Sequence, residues 1–338
     1  MLVARAPMRI SFAGGGTDLP AYYEKYGGMV VSTAIDKYVY VIVSPNGRDS
    51  LQISSSDYST FIRHSGDEEV AEGGKLRYAR AFVREFGIRS GYSIFMASEM
   101  PPGTGLGSSS SLAVAMTKAL AALNDDILPK AEVARLAAEV ELGRLNMPIG
   151  LQDQYAAAFG GLNAIRFSAD GVEVEPLAIS DKTRAWLDES IMLFFTHQSR
   201  ESHEILEEQR DRSQDGDPFT IAALHAIRGH AEEMREALLA GEPDRLGDIM
   251  HRSWLEKKKL AKGITNGEID AAYQEALEAG ASGGKIAGAG GGGFLMLVCP
   301  PDRHAGVCRA LEERGLVRAD FHLDSSGARI LVNNAAAQ

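Results

Sequence analysis

Hydrophobic and polar positions along the chain follow two alternating periods. Alternation at period two, with β-branched and aromatic residues, predicts strands over 5–12, 29–44, 51–54 and 92–97. Asp36 and Lys37 interrupt the second of these. Helical spacing runs over 75–86 through Leu76, Ala79, Phe82 and Val83, and Gly87 stops it. Strong helix formers from Leu112 onward predict a second helix, and 129–145 a third. Strands are expected at 162–167, 191–196 and 294–299. Helices are expected over 217–240, opened by the cap-plus-first-turn pair Asp217-Pro218, and over 243–262, 266–279 and 301–315. Strands near 321–323 and 329–332 close the chain. The second half therefore mixes helices with an antiparallel sheet, an α+β pattern.

Length and charge narrow the class. A chain of 338 residues is too long for one simple core, so two domains are expected. Its apolar content of 45% and charged content of 24% are those of a soluble globular protein. The net charge of −11 argues against a nucleic-acid backbone as the main partner. Cys299 and Cys308 have no metal-site spacing and form no disulfide framework, which fits a reducing compartment. No apolar run reaches 18 residues and 1–10 hold no signal-peptide core, so the expected location is cytoplasmic, with no membrane partner.

The conspicuous chemistry lies in glycine-rich loops. Pro101-Pro102-Gly103-Thr104-Gly105-Leu106-Gly107 runs into Ser108-Ser109-Ser110-Ser111 and then into a helix. Such a loop lets a ligand approach the main chain, and the helix N-terminus offers unpaired N–H groups and partial positive charge. The implied ligand is phosphate. No lysine follows Gly107, so the loop is not a P-loop. On the 129–145 helix, Glu132, Arg135 and Glu139 share one face while Glu141 lies nearly opposite, among alanines. That carboxylate needs a partner, either a salt bridge with Arg144 or a metal ion. Asp153 sits in the first turn of a short helix bracketed by Gly150 and Gly160-Gly161, where it complements the dipole or does chemistry. The run Gly288–Gly293 formally fits Gly-x-Gly-x-x-Gly, but a strand follows it rather than a helix, which excludes a dinucleotide fingerprint. Lys257-Lys258-Lys259 reads as a solvated helix end, and the eight histidines as structural.

The stretch from Pro101 to Ser109 resembles the phosphate loop of the GHMP kinases, Pro-x-Gly-x-Gly-Leu-Gly-Ser-Ser. Pro7-Met8-Arg9 leading into Ala13-Gly14-Gly15-Gly16-Thr17-Asp18 is similar to the family's first motif, and 285–294 to its third. The resemblance covers essentially the whole chain. It implies a ribosomal-protein-like α+β domain over 1–187, a ferredoxin-like domain over 188–338, and an active site between them. It also implies ATP and Mg2+ as cofactors. Nucleotide contacts would come from Pro101, Gly103, Gly105, Leu106, Gly107, Ser108, Ser109 and Ser110. Asp153 matches the catalytic aspartate, Arg9 the basic residue beside the reacting hydroxyl, and Glu141 with Ser109 the metal pair. Gly15, Gly16, Thr17, Asp18, Asp153, Arg200, Gly290 and Gly291 would bind the sugar. Within the family, the versions at 13–20 and 152–157 are closest to the heptose kinases. The implied reaction phosphorylates the anomeric hydroxyl of a sugar phosphate. Phosphorylation of a free sugar such as fucose or galactose is the alternative, and a catalytically silent sugar sensor the remote one. Lys37, Arg200 and Lys285 are the candidate cations for a substrate phosphate. The expected partners are the small-molecule sugar and ATP, with a homodimer left open.

Overall fold

The computed structural model describes residues 1–57, 59–65, 76–198 and 203–334. Among these, two sheets carry the fold. The first contains β1 (Leu2–Ala13), β2 (Gly28–Pro45), β3 (Ser50–Ser55), β4 (Thr60–Ser65), β5 (Tyr92–Ser98), β6 (Leu162–Ser168), β7 (Gly171–Pro176) and, from the far end of the chain, β12 (Arg329–Asn333). The second contains β8 (Ile191–Phe195), β9 (Gly283–Ile286), β10 (Phe294–Val298) and β11 (Val317–Ala319).

Strand β2 organises the first sheet. Its residues Val31–Val43 pair with β1, its second half with β5 and its first third with β6. The expected interruption at Asp36-Lys37 is a bulge within one continuous strand. Pro7 faces Tyr38 while the next residue, Met8, already faces Ile35. At the bulge Asp36 is tied to the C-terminal segment, its N donating to His322 O (2.9 Å) and its side-chain Oδ1 accepting from His322 N (2.8 Å).

Helices α1 (Pro20–Tyr26), α2 (Arg77–Glu85), α3 (Ser108–Leu123), α4 (Lys130–Ala138) and α5 (Gln152–Phe159) belong to the first half. Of these, α3 is apolar nearly all round and correspondingly buried, with Val114, Met116, Ala119 and Leu120 in the core between helices and sheet. The helix expected over 129–145 stops being α-helical at Ala138 and continues as a π-helical turn, Glu139–Arg144. Helix α6 (Asp181–Ser190), capped by Ser180, leads into the second sheet.

That sheet is antiparallel throughout, with spatial order β11-β8-β10-β9. Helices α7 (His203–Gln214), α8 (Pro218–Ala240), α9 (Leu246–Lys257) and α10 (Gly267–Glu278) separate β8 from β9, and α11 (His304–Glu313) separates β10 from β11. This is the β-α-β-β-α-β ferredoxin-like arrangement. The strand expected at 321–323 is only a single bridge, Leu323 to Ile35; the edge of β8 is taken by Val317–Ala319 instead. A core of residues such as Met8, Ile10, Phe294 and Met296 joins the two halves, and another lies beyond the second sheet around Trp254. No described helix is long and apolar enough to cross a membrane.

Candidate active site

A cavity of about 1160 Å³ lies between the halves. On its floor is the loop between β5 and α3. Gly103, Gly105 and Gly107 have φ of +76°, +81° and +76°, a region costly for other residues. At Gly105 the glycine is required twice over: an added Cβ would lie 2.4 Å from the carbonyl oxygen of Ala287, on the last glycine loop. Ser111 N is the first amide of α3 bonded back to the loop, to Gly107 O (2.9 Å), so the N–H groups of Ser108, Ser109 and Ser110 are left for a ligand. All three serines line the cavity.

Arg9 leaves β1 at the same point and is 3% exposed. Its Nε and Nη2 donate to the two oxygens of Asp153, each at 2.7 Å, and its Nη1 donates to Gly105 O at 2.7 Å. One guanidinium thus orients the carboxylate and fixes the loop, a use of the planar fork that lysine could not copy. Asp153 keeps 22% of its side chain open to the cavity. Beside it, Asp18 accepts from Gly16 N (2.9 Å) and Gln152 N (3.2 Å), which ties the first glycine loop to the start of α5. Burial, and then the charge of Asp153, push the Asp18 carboxyl up from its usual range.

Glu141 is fully buried in the π-helical turn. It does not pair with Arg144, which turns to Glu85. Its oxygens accept from Tyr78 Oη (2.7 Å), Gln154 Nε2 (2.6 Å) and Ser110 Oγ (3.2 Å). Burial pushes its carboxyl up to about 7, against those hydrogen bonds. The inserted residue of a π turn redirects the side chains that follow, which is why such turns recur at sites. Among the described residues no cluster of three or more His, Cys, Asp or Glu side chains gathers to hold a metal.

Several expected contacts differ in the structure. The Thr17 side chain is buried, with its hydroxyl bonded to the main chain of Gly14 and Met29, so it pins the loop to β2 rather than facing a sugar. Leu106 turns into the core and gives its carbonyl to Arg9 N. Pro101 accepts the Thr104 hydroxyl, and its neighbour Pro102 lines the cavity instead. Gly290 and Gly291 pack on Ile264, leaving Gly288 and Ala289 as the lining of that loop. The serine hydroxyl in contact with Glu141 is that of Ser110; Ser109 is exposed, and its carbonyl oxygen lies 2.7 Å from Tyr78 Oη, sharing that one hydroxyl with Glu141. Lys37 stays on the β2 bulge, 4.0 Å from Asp36, and Arg200 lies outside the described residues. Sequence did not point to Tyr78, and it placed Lys257, noted with Trp254 as suiting the heptose kinases, at a solvated helix end. This lysine is not solvated: it is 7% exposed, lines the cavity, and donates to Gly288 O. The buried stripe of α9, Met250, Ser253 and Trp254, runs straight on to it at helical spacing, and that is the signal that could have found it.

The model of the GHMP kinase N-terminal domain matches residues 75–161, and that of the GHMP kinase C-terminal domain matches 234–316. The chain is 33% identical over 332 residues to the D-glycero-alpha-D-manno-heptose 7-phosphate kinase of Campylobacter jejuni, covering 96% of this chain and 97% of that one. Among solved structures, a D-glycero-D-manno-heptose 1-phosphate kinase from Bacteroides thetaiotaomicron superposes with a TM-score of 0.81 at 28% identity, over 98% of this chain and 99% of its own. A putative sugar kinase from Campylobacter jejuni gives 0.79 at 31% identity, over 97% of each chain.

Proposed function

Because this chain belongs to the GHMP kinase family, we propose that it transfers phosphate from ATP to the anomeric hydroxyl of D-glycero-D-manno-heptose 7-phosphate, giving the 1,7-bisphosphate. The observation that carries the chemistry is the Asp153 carboxylate, held in the Arg9 fork against an open α3 N-terminus. The substrate class rests on the full-length likeness to a heptose 7-phosphate kinase.

In this reading the ATP phosphates lie against the amides of Ser108–Ser110. The sugar sits over Gly15, Gly16 and Asp18, its anomeric hydroxyl at Asp153. The hydroxyl proton passes to Asp153 as its oxygen bonds to the γ-phosphorus. The bond to the bridging oxygen breaks and ADP leaves. Arg9 keeps the carboxylate aimed at the hydroxyl, and the proposed positioning contributes most of the acceleration. A magnesium ion fits the donors present. Glu141 and the Ser110 hydroxyl would supply oxygen ligands, with Ser109 close by, and the buried Oε1 of Gln154 has no hydrogen-bond partner. When bound, the ion would neutralise phosphate charge, leaving few ligands for the protein to supply. A cytoplasmic setting suits an enzyme that draws on ATP, and the two family domains divide near residue 187, with β12 returned to the first sheet.

The test is ADP release with ATP and magnesium over a panel of heptose 7-phosphate, heptose 1-phosphate, free heptose, fucose and galactose. Heptose 7-phosphate should lead the others by at least tenfold in kcat/KM, the size of one charge-assisted contact. A preference for fucose or galactose makes the protein a free-sugar kinase. No turnover with any sugar makes it a sensor.

A further inference from the structure

Three buried cations meet two carboxylates beside the cavity. Arg9, Lys257 and Lys285 are 3%, 7% and 3% exposed, and Asp18 and Asp153 face them. Asp153 is already committed to the Arg9 fork, and Asp18 to two backbone amides. Lys257 has a neutral partner, the Gly288 carbonyl. Lys285, on β9 opposite Met296 and so on the face toward the first half, has no ion pair or hydrogen bond for its ammonium among the described residues. Burial lowers both lysines, with like charge adding to it: Lys285 is lowered by Lys257 and Arg9, and Lys257 by Arg9. The cluster is one negative charge short, and cationic groups largely withdrawn from water are costly unless a ligand completes the charge balance.

We propose that Lys257 and Lys285 form the anion site of this cavity, Lys257 contacting phosphate oxygens of the bound reactants and Lys285 reinforcing it from β9. The inference rests on the sugar-phosphate kinase reading of the same site. Two phosphates could occupy it, the one the sugar carries and the one being transferred. A structural role would instead have Lys257 simply pin the last glycine loop to α9.

Lys257→Met and Lys285→Met separate these roles, measured as kcat and KM on heptose 7-phosphate and on free heptose, with Tm recorded for each. A tenfold to hundredfold loss in kcat/KM confined to the phosphorylated sugar supports the site and assigns it to the sugar's phosphate. An equal fall in kcat on both sugars supports it and assigns it to the transferred phosphate. Lys285→Met should show its loss with Tm unchanged or raised, because an unpaired buried charge has been removed, and it serves where Lys257→Met fails to fold. Kinetics within threefold of the parent for both sugars in Lys285→Met, or a lowered Tm as its only effect, overturns the proposal. The substrate reading fails separately, by the parent enzyme preferring an unphosphorylated sugar. The variants are then compared on that sugar, where a fall in kcat still supports the site and unchanged kinetics still overturns it.

Discussion

Replacing Asp153 by Asn tests both halves of the proposed chemistry at once. The amide is nearly the same shape, so it occupies the carboxylate's place, but it retains only one acceptor for the two Arg9 donors that now sit 2.7 Å from Oδ1 and Oδ2. One charge-assisted hydrogen bond becomes a contact between two donors, and a guanidinium that is 3% exposed loses its counter-charge. A hydrogen bond to a charged group is worth about 1.5–3 kcal/mol. With 22% of the Asp153 side chain open to solvent screening, a loss of about 2 kcal/mol is expected. That is a Tm lower by roughly 3 °C for a chain of this length. Turnover should fall much further, because a positioned proton acceptor contributes roughly 10²–10⁴ in rate, or about 3–5 kcal/mol of barrier. ADP release gives the first quantity and calorimetry the second, while ATP affinity should stay near that of the parent. Arg9→Met with Asp153→Asn should be less destabilised than the two single changes added together, since partners removed together leave no orphaned charge. Turnover of Asp153→Asn within threefold of the parent refutes the assignment, and an unchanged Tm refutes the energetic role given to the fork.

Further consequences are open to measurement. Burial and Arg9 bring Lys257 down from 10.5 to about 8, so kcat/KM should decline as pH rises through about 8, and Lys257→Met should lose that limb. The linkage has a definite sign: between about 8 and 10.5 the unfolded chain holds a proton the folded chain lacks, so this group's contribution to stability rises with pH, and its cost is largest below pH 8. Gly105→Ala places a methyl group 2.4 Å from Ala287 O at φ +81°, whereas Gly47→Ala, at φ +61° with open space around it, carries the backbone strain alone. The first should lower Tm well beyond the second and raise KM for ATP about tenfold, and equal Tm values would show that the two glycine loops do not depend on each other. Glu141→Gln and Ser110→Ala should each raise the magnesium concentration needed for half-maximal rate, and strictly additive effects in the double variant would mean that they do not act through one ion.

The legibility of this site depended on where its chemistry is written. Glycine loops announce themselves because only one residue type permits their backbone, so the left-handed turns at Gly103, Gly105 and Gly107 were legible directly. A carboxylate on the apolar side of a helix is also conspicuous, which exposed Glu141. Its environment was not legible: 100° per residue assumes an unbroken α-helix, and the turn Glu139–Arg144 has a different period. Tyr78 reaches Glu141 from a separate helix, and nothing in its local pattern marks it. Lys257 was hidden by its neighbours, since Lys258 and Lys259 are ion-paired at the surface and a run of three reads as one solvated patch. Thr17 and Leu106 show the converse. Position within a motif placed them at the ligand, while their side chains brace the loops from behind. Most element positions followed from periodicity, with Asp217 and Asn266 acting as the caps of their helices. The short strand β11 did not, because a three-residue edge is decided by its partner β8 rather than by its own residues.

The return of β12 to β1, with Leu2 opposite Asn333, has a mechanical consequence. The ferredoxin-like half leaves the first sheet after β7 and rejoins it at β12, so it is attached by two separate crossings rather than by one tether. The half cannot swivel about a single linker or drift away as a separate body, and the core of Met8, Ile10, Phe294 and Met296 fastens it between the two crossings. Arg9 on β1 and Lys257 at the end of α9 are thereby held in register across the cavity from both ends of the chain.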